Sequence, residues 1–366
     1  MKKKKLIIFM PSIEGGGVEK NLFIISKYFS KKIKNVSIIS TSFKYKNLFK
    51  GITFVSPKSK IWEKLSRRFK YLICLFLLST ILIKDRNYLV FAFQGNLYCA
   101  LVCKLFGVKI IVRSNSSPSG WSKNFFKKFL YKTILNLTDK IIVNSYDFKK
   151  QFKNFFSINP LCIYNPLNKQ EIIKKSKVKL KLPFFKEKKN YLKIINVARF
   201  TDQKDHLTLL KSLKLLKEHV NFKAIIIGKG INKNKMINFI RKNNLSKSIK
   251  LINFQSNPYK FIRASDVFVL SSKFEGLPNV LLEAMTLKKF IISTDCRTGP
   301  REILMNGEGG DLVPIGDHEK LFNKLLFFHK NKKKLNKKIT TSFKSLHRFD
   351  YYKNLNKYYL AVSKFL

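Results

Sequence analysis

Two glutamates pose the chemical question in this chain. Glu275 and Glu283 lie in the stretch Lys273-Phe274-Glu275-Gly276-Leu277-Pro278-Asn279-Val280-Leu281-Leu282-Glu283-Ala284-Met285. The apolar run Val267 to Leu270 before it reads as a buried strand. Leu277 to Leu287 read as a helix with Pro278 in its first turn, where a missing N–H costs nothing. A helix start at a strand end offers unpaired N–H groups and a positive dipole end, which suit a phosphate. An acid placed there repels such a guest unless it serves another part of the same ligand. The plain alternative is a capping acid and a surface acid on an ordinary βα unit, and the stretch alone leaves both readings open.

Three further sets sit at strand ends. Arg199 and Lys204, in Arg199-Phe200-Thr201-Asp202-Gln203-Lys204, are either a clamp for a diphosphate or two solvated charges. Gly15-Gly16-Gly17 lets backbone N–H groups approach a ligand, or is a flexible turn. Gly228-Lys229-Gly230 follows a strand and resembles a nucleotide-contacting loop.

These sets need a scaffold, and the chain supplies two. With 366 residues, two domains are expected. In the first half, apolar runs at Leu6–Met10, Val36–Thr41, Ile52–Val55, Tyr88–Phe93, Val108–Val112 and Lys140–Val143 read as strands. Helical stretches lie between most of them, including Val18–Phe29, Ile61–Ile83, Leu97–Phe106 and Trp121–Leu137. The Lys-rich stretch Asn168 to Asn190 reads as a linker. The pattern then restarts with Leu192–Ala198, Phe222–Ile227, Ile249–Phe254, Val267–Leu270 and Phe290–Thr294 as strands. Alternating strands and helices argue for parallel sheets covered on both faces. The expected architecture is α/β: two Rossmann-like domains with a ligand cleft between them. The expected boundaries are 1–167, a linker at 168–190, a second domain at 191–345, and a C-terminal helix at 346–366 packing back on the first domain.

Composition narrows the partners less than its size suggests. Lys plus Arg is 74 against 21 acids, a net charge of +53. Such a charge attracts any polyanion, yet the lysines are spread over every segment. No RNP-like, zinc-finger or helix-turn-helix signature gives them a nucleic-acid meaning, so no nucleic-acid partner is expected. The five cysteines form no C-x-x-C pair, which suggests reduced thiols in a cytoplasmic protein and no metal site. The apolar run after Met1-Lys2-Lys3-Lys4-Lys5 is too short for a signal-peptide core. Tyr71 to Ile83 falls short of the roughly 20 residues that span a bilayer and reads as a buried helix.

In combination and in order, the motifs resemble the retaining GT-B glycosyltransferases of family 4, the glycosyl transferases group 1. The resemblance rests on F-E-G-L-P-N-V-L-L-E-A-M at 274–285 and V-A-R-F-x-D-Q-K at Val197–Lys204. Downstream, T-D-C-R-T-G-P-R-E-I-L and G-G-D-L-V-P-I-G-D look like a branch that builds surface polysaccharides and lipid-linked glycans. The resemblance implies that Glu283 holds the ribose of the nucleotide and that Glu275 contacts the donor sugar. The N–H groups around Leu281 and Leu282 would face phosphate, Arg199 and Lys204 would stabilise the departing diphosphate, and Gly228 would meet the nucleotide. Gly16 and Gly17 would approach the same phosphates from the other domain. It implies sugar transfer with retention, with no cofactor beyond the nucleotide-sugar and no metal. A UDP-hexose or UDP-N-acetylhexosamine is the first expected donor and GDP-mannose the second. The expected acceptor is a polyprenyl-diphosphate-linked sugar or a glycan of lipopolysaccharide, O-antigen or capsule. A GT-B nucleotide-sugar epimerase and a basic nucleic-acid-binding protein are the alternatives.

One position departs from that pattern. Many members carry a histidine after the strand at Val108–Val112, where this chain has Arg113-Ser114-Asn115. Either Arg113 or Asn115 replaces that sugar contact, or the donor sugar differs. On the acceptor side, Ser116 to Trp121 precede an apolar stripe of Phe125, Phe126, Phe129, Leu130 and Ile134, flanked by Lys123, Lys127, Lys128 and Lys132. A basic amphipathic helix opened by a Trp suits an anionic membrane, and it equally suits the core face of a Rossmann helix. Peripheral contact with the inner face of the cytoplasmic membrane is therefore expected beside a cytoplasmic location.

Overall fold

The β-branched and aromatic runs form parallel strands, as expected of segments too apolar to leave either face in water. A computed structural model describes residues 4–115, 118, 124–180, 183–185 and 191–366. The chain divides into two units, one of residues 1–166 with 351–366 and one of residues 167–350.

In the first unit, β1 (Lys5–Phe9), β2 (Val36–Ile39), β3 (Thr53–Val55), β4 (Tyr88–Ala92), β5 (Lys109–Ser114), β6 (Lys140–Val143) and β7 (Leu161–Cys162) form one parallel sheet. Its strand order is β3-β2-β1-β4-β5-β6-β7, the doubly wound order with its switch point between β1 and β4. The register sets Leu6 beside Val36 and Ile8 beside Phe91. The helices are α1 (Gly17–Lys32), α2 (Arg67–Lys84), α3 (Asn96–Leu105), α4 (Phe125–Asn136) and α5 (Tyr146–Phe156). Helices α2 to α5 cover one face of the sheet through Leu78, Cys103, Leu135 and Phe152. The other face is covered by α1 and by the C-terminal helix Tyr351–Ser363, which buries Leu355, Tyr358 and Val362.

In the second unit, β8 (Leu192–Val197), β9 (Phe222–Ile227), β10 (Ile249–Ile252), β11 (Val267–Leu270), β12 (Phe290–Thr294) and β13 (Asp311–Val313) repeat the pattern in the order β10-β9-β8-β11-β12-β13. Its helices are α6 (Lys169–Ser176), α7 (His206–Lys217), α8 (Lys233–Lys242), α9 (Tyr259–Ala264), α10 (Asn279–Thr286), α11 (Pro300–Ile303), α12 (His318–Lys330) and α13 (Lys332–Ser345). Leu209, Leu213, Ile226, Val269, Ile292 and Leu325 meet in its core. The expected fold, two Rossmann-like α/β domains, is the observed one.

Three local expectations change. The stretch read as a linker contains α6, capped by Asn168: its Oδ1 accepts from Glu171 N at 3.0 Å, and its Nδ2 donates to Glu171 Oε2 at 3.3 Å. With Ile172 its one buried large apolar residue, that helix left little periodicity to read. The helix holding Glu283 begins at Asn279, with Pro278 in extended conformation as its N-cap rather than in its first turn. Helix α2, read as buried, has Cys74, Leu78 and Leu82 inside but Phe69, Leu72, Phe76 and Ile83 exposed.

Candidate active site

The second unit gathers its chemistry on the loops that follow β8, β9, β11 and β12. The glycines after β9 explain how two of those loops touch. A Cβ on Gly228 would lie 1.9 Å from Ala198 O, and one on Gly230 would lie 2.3 Å from Phe200 O. Phe200 N donates to Lys229 O at 2.9 Å, so the loop after β8 is clamped against the loop after β9. Gly228, read from sequence as a nucleotide contact, is thus required for this close packing first. Lys229 Nζ lies 5.4 Å from the centre of the exposed Phe254 ring, a pair that no sequence motif marks.

The loop after β8 meets the loop after β11 even more closely. Lys273 N donates to Gln203 O at 2.8 Å, Gln203 Nε2 donates to Phe274 O at 2.9 Å, and Ser271 Oγ donates to Lys204 O at 3.0 Å. These bonds bring together two residues 71 apart in sequence: Lys204 Nζ forms an ion pair with Glu275 Oε1. Ser272 Oγ donates to the same oxygen at 2.6 Å. The side chains of Lys204 and Glu275 are only 14% and 7% exposed, so little water screens them. Arg199, in the same loop as Lys204, is exposed and has no ion pair among the described residues.

The segment after β12 supports Glu275 from the far side. Thr298 Oγ1 donates to Glu275 O at 2.5 Å, and Thr294 Oγ1 donates to Ser272 O at 2.6 Å. Gly299 adopts φ +87°, and a Cβ there would lie 1.9 Å from Gly276 O. The motif C-R-T-G-P therefore has a physical reading that its sequence alone did not reveal: it props the Glu275 loop. Burial pushes the neighbouring Cys296 thiol up to about 11, which keeps it an inert packing group.

Glu283 is buried in α10, with Tyr259 OH 3.5 Å from its Oε1. Leu281 and Leu282 are core side chains, and the Leu281 N–H donates to Pro278 O at 3.1 Å. With α10 starting at Asn279, Leu281 is the third residue of its first turn. His206 opens α7 beside Lys204. Burial, and secondly the Lys204 charge, push its imidazole down to about 4, and neither ring nitrogen has a hydrogen-bond partner among the described residues.

The remaining candidates belong to the first unit. Gly16 is the N-cap of α1 and Gly17 its first residue. The carboxylate of Glu19 folds back over this turn, accepting from Glu14 N at 3.3 Å and lying 3.0 Å from where a Gly16 Cβ would be. A phosphate at that helix start would meet a carboxylate already in place. Arg113 is 0% exposed. Its Nε donates to Tyr358 OH at 3.0 Å, one terminal nitrogen to Asn165 Oδ1 at 2.7 Å, and the other to Asn115 Oδ1. Asn115 Nδ2 donates to Phe93 O at 2.9 Å. Arg113 and Asn115 therefore brace β5 against the C-terminal helix and the segment at Asn165, rather than presenting free groups to a sugar. Ser116, Ser117, Trp121 and Lys123, named for the acceptor side, lie outside the described residues.

Residues 179–345 match the model of the glycosyl transferases group 1. An uncharacterized glycosyltransferase of Methanocaldococcus jannaschii is 39% identical over 202 residues, 53% of this chain and 49% of the relative. The N-acetylgalactosamine-N,N'-diacetylbacillosaminyl-diphospho-undecaprenol 4-alpha-N-acetylgalactosaminyltransferase of Campylobacter jejuni is 29% identical over 240 residues, 62% of this chain and 63% of the relative. The matched stretches thus span about half to under two thirds of these relatives' own lengths. Anabaena HepE, solved in complex with UDP, superposes with a TM-score of 0.79 at 16% identity, covering 98% of this chain and 100% of that one. That likeness extends the GT-B fold over both units. The match to the glycosyl transferases group 1 thus falls on the second unit, and the braced Lys204–Glu275 pair lies inside the matched residues.

Proposed function

We propose that the chain is a retaining glycosyltransferase acting in the biosynthesis of surface polysaccharide, such as lipopolysaccharide, O-antigen or capsule. It would move a sugar from a nucleotide-sugar to a polyprenyl-diphosphate-linked or glycan acceptor. The observation that carries this reading is the Lys204–Glu275 pair held by Ser272 at the strand edge, with the exposed Arg199 in the same loop. Both Lys204 and Ser272 act on Oε1 of Glu275, so Oε2 has no partner among the described residues and is the atom to accept from a sugar hydroxyl. Arg199 and Lys204 supply fixed positive charge where a nucleoside diphosphate would depart, the kind of electrostatic stabilisation worth most in a water-poor site. Glu283 is the candidate for the ribose hydroxyls.

A UDP-hexose or UDP-N-acetylhexosamine is the favoured donor, with GDP-mannose second. Support comes from the neighbour solved with UDP and from the relative named for a diphospho-undecaprenol-linked acceptor. Transfer is proposed to need no metal and no other cofactor, which turnover in excess chelator checks. The cytoplasmic side of the membrane is the proposed location. The test of the whole reading is a panel of UDP- and GDP-sugars, scored by thermal shift and donor hydrolysis, with the product anomer read by NMR. Binding of none of them, or an isomerised nucleotide-sugar formed without acceptor, would overturn it.

A further inference from the structure

Helices α2, α3 and α4 are neighbours on one face of the first unit's sheet, and each is apolar on both sides. Inside, α2 buries Cys74, Leu78 and Leu82. Outside, its exposed residues Phe69, Leu72, Phe76 and Ile83 recur at i, i+3, i+7 and i+14, a second stripe in water. Helix α3 repeats the design, with Tyr98, Leu101 and Leu105 exposed at i, i+3 and i+7 while Cys99 and Cys103 are buried. On α4, Phe125, Phe126, Phe129 and Leu130 are 53 to 80% exposed, while Ile134 and Leu135 are buried and Tyr131 packs beside them. Solitary exposed apolar residues are ordinary, but aligned stripes on three adjacent helices are not.

The charge on the same helices identifies what covers them. None of the three contains Asp or Glu, and Arg68, Lys84, Lys104 and Lys127 are exposed among the apolar residues. A second copy of the chain would set this all-cationic face against itself. An acidic lipid surface satisfies both features, because it takes apolar rings below the headgroups and lysines beside them. We propose that the outer face of α2, α3 and α4 is a monotopic docking surface for an anionic membrane. Among the described residues no helix is long and apolar enough to cross one. The surface rests on the sugar-transfer reading only for its purpose, to bring a lipid-linked acceptor to the enzyme; its test requires no sugar.

The experiment is sedimentation of the full chain with vesicles of phosphatidylcholine, with and without phosphatidylglycerol, at physiological salt. The parent protein should sediment with the anionic vesicles. The triple variant Phe125→Ser/Phe126→Ser/Phe129→Ser and the double variant Leu72→Gln/Phe76→Gln, each with unchanged circular dichroism, should bind at least about 10-fold more weakly. Lys127→Gln/Lys128→Gln/Lys132→Gln should lower binding about 100-fold. The control Lys333→Gln/Lys334→Gln/Lys337→Gln, on α13 of the second unit, should change it little. Failure of the parent to bind, an equal loss in the α13 control, or a solution dimer abolished by Leu72→Gln/Phe76→Gln would each overturn the proposal. Loss of donor turnover with vesicle binding intact would count against the sugar-transfer reading instead.

Discussion

The Lys204–Glu275 pair makes a prediction that separates stability from chemistry. Replacing Lys204 with Met leaves a carboxylate that is 7% exposed with Ser272 as its remaining side-chain donor. Breaking a buried pair by removing one partner costs about 3–5 kcal/mol, because the other charge stays behind uncompensated. Lys204 is itself 14% exposed, which places the expected loss at the lower end, about 3 kcal/mol. Glu275→Gln keeps an oxygen for Ser272 and leaves a lysine able to turn toward water, so about 1–2 kcal/mol is expected. Because both changes act on one contact, the double variant should cost less than their sum by about 1–3 kcal/mol. Urea denaturation of the four proteins at neutral pH measures this coupling. On the proposed reading, each single variant should also lose about 100- to 1000-fold in turnover with its true donor, and the double variant should not recover it. Additive stabilities would show that the pair contributes nothing to the fold. Near-normal turnover in either single variant would remove these residues from the site.

The other expectations concern the supports around that pair. The folded imidazole of His206 is held down near 4 by burial, whereas an unfolded one titrates near 6.5. The unfolded chain therefore binds the extra proton between these values, and stability falls as pH drops from about 6.5 toward 4, by up to about 3 kcal/mol. Denaturation midpoints across that window should slope, and His206→Leu should flatten its share of the slope. Gly228→Ala and Gly299→Ala each place a Cβ 1.9 Å from a backbone oxygen, so each should lose roughly 2 kcal/mol or more in urea midpoint comparisons. Tyr358→Phe deletes the hydroxyl that accepts from Arg113 and donates to Ile163 O at 3.1 Å. It should cost about 1–3 kcal/mol by the same measurement, with a null effect showing that water replaces it.

The strands and the two-fold repetition of the α/β pattern were legible because fully buried parallel strands, such as Leu6–Phe9 and Val267–Leu270, are uninterrupted apolar runs. Less legible were segments whose structure depends on partners distant in sequence. Arg113 looks like a cation at a strand end until Tyr358 arrives 245 residues later. Gly228 looks like a ligand loop until the backbone of Ala198 is seen to need its space. The outer stripe of α2 is illegible in sequence because a helix apolar all round reads most simply as buried. Pro278 is the N-cap of a helix that starts two residues later than its sequence suggests, since N-cap and first-turn prolines look alike in sequence.

Acids were informative where cations were not, and composition explains why. With 74 lysines and arginines against 21 carboxylates, the identity of a cation at any one place says little. A buried carboxylate, by contrast, must be anchored to justify its desolvation. At the strand ends of the second unit the anchoring is visible for one acid after another. Glu275 is held by Lys204 and Ser272, Asp202 by Asn232 Nδ2 at 2.9 Å, Asp205 by Thr208 Oγ1 at 2.7 Å, and Asp295 by Arg301. Asp205 and Asp295 secure loop ends with both of their oxygens, through Thr208 and Arg301, while Asp202 is exposed to water. Glu275 differs in that both of its side-chain bonds fall on one oxygen. On the proposed reading, that buried asymmetry lets Glu275 hold its place with one oxygen while the other meets a ligand.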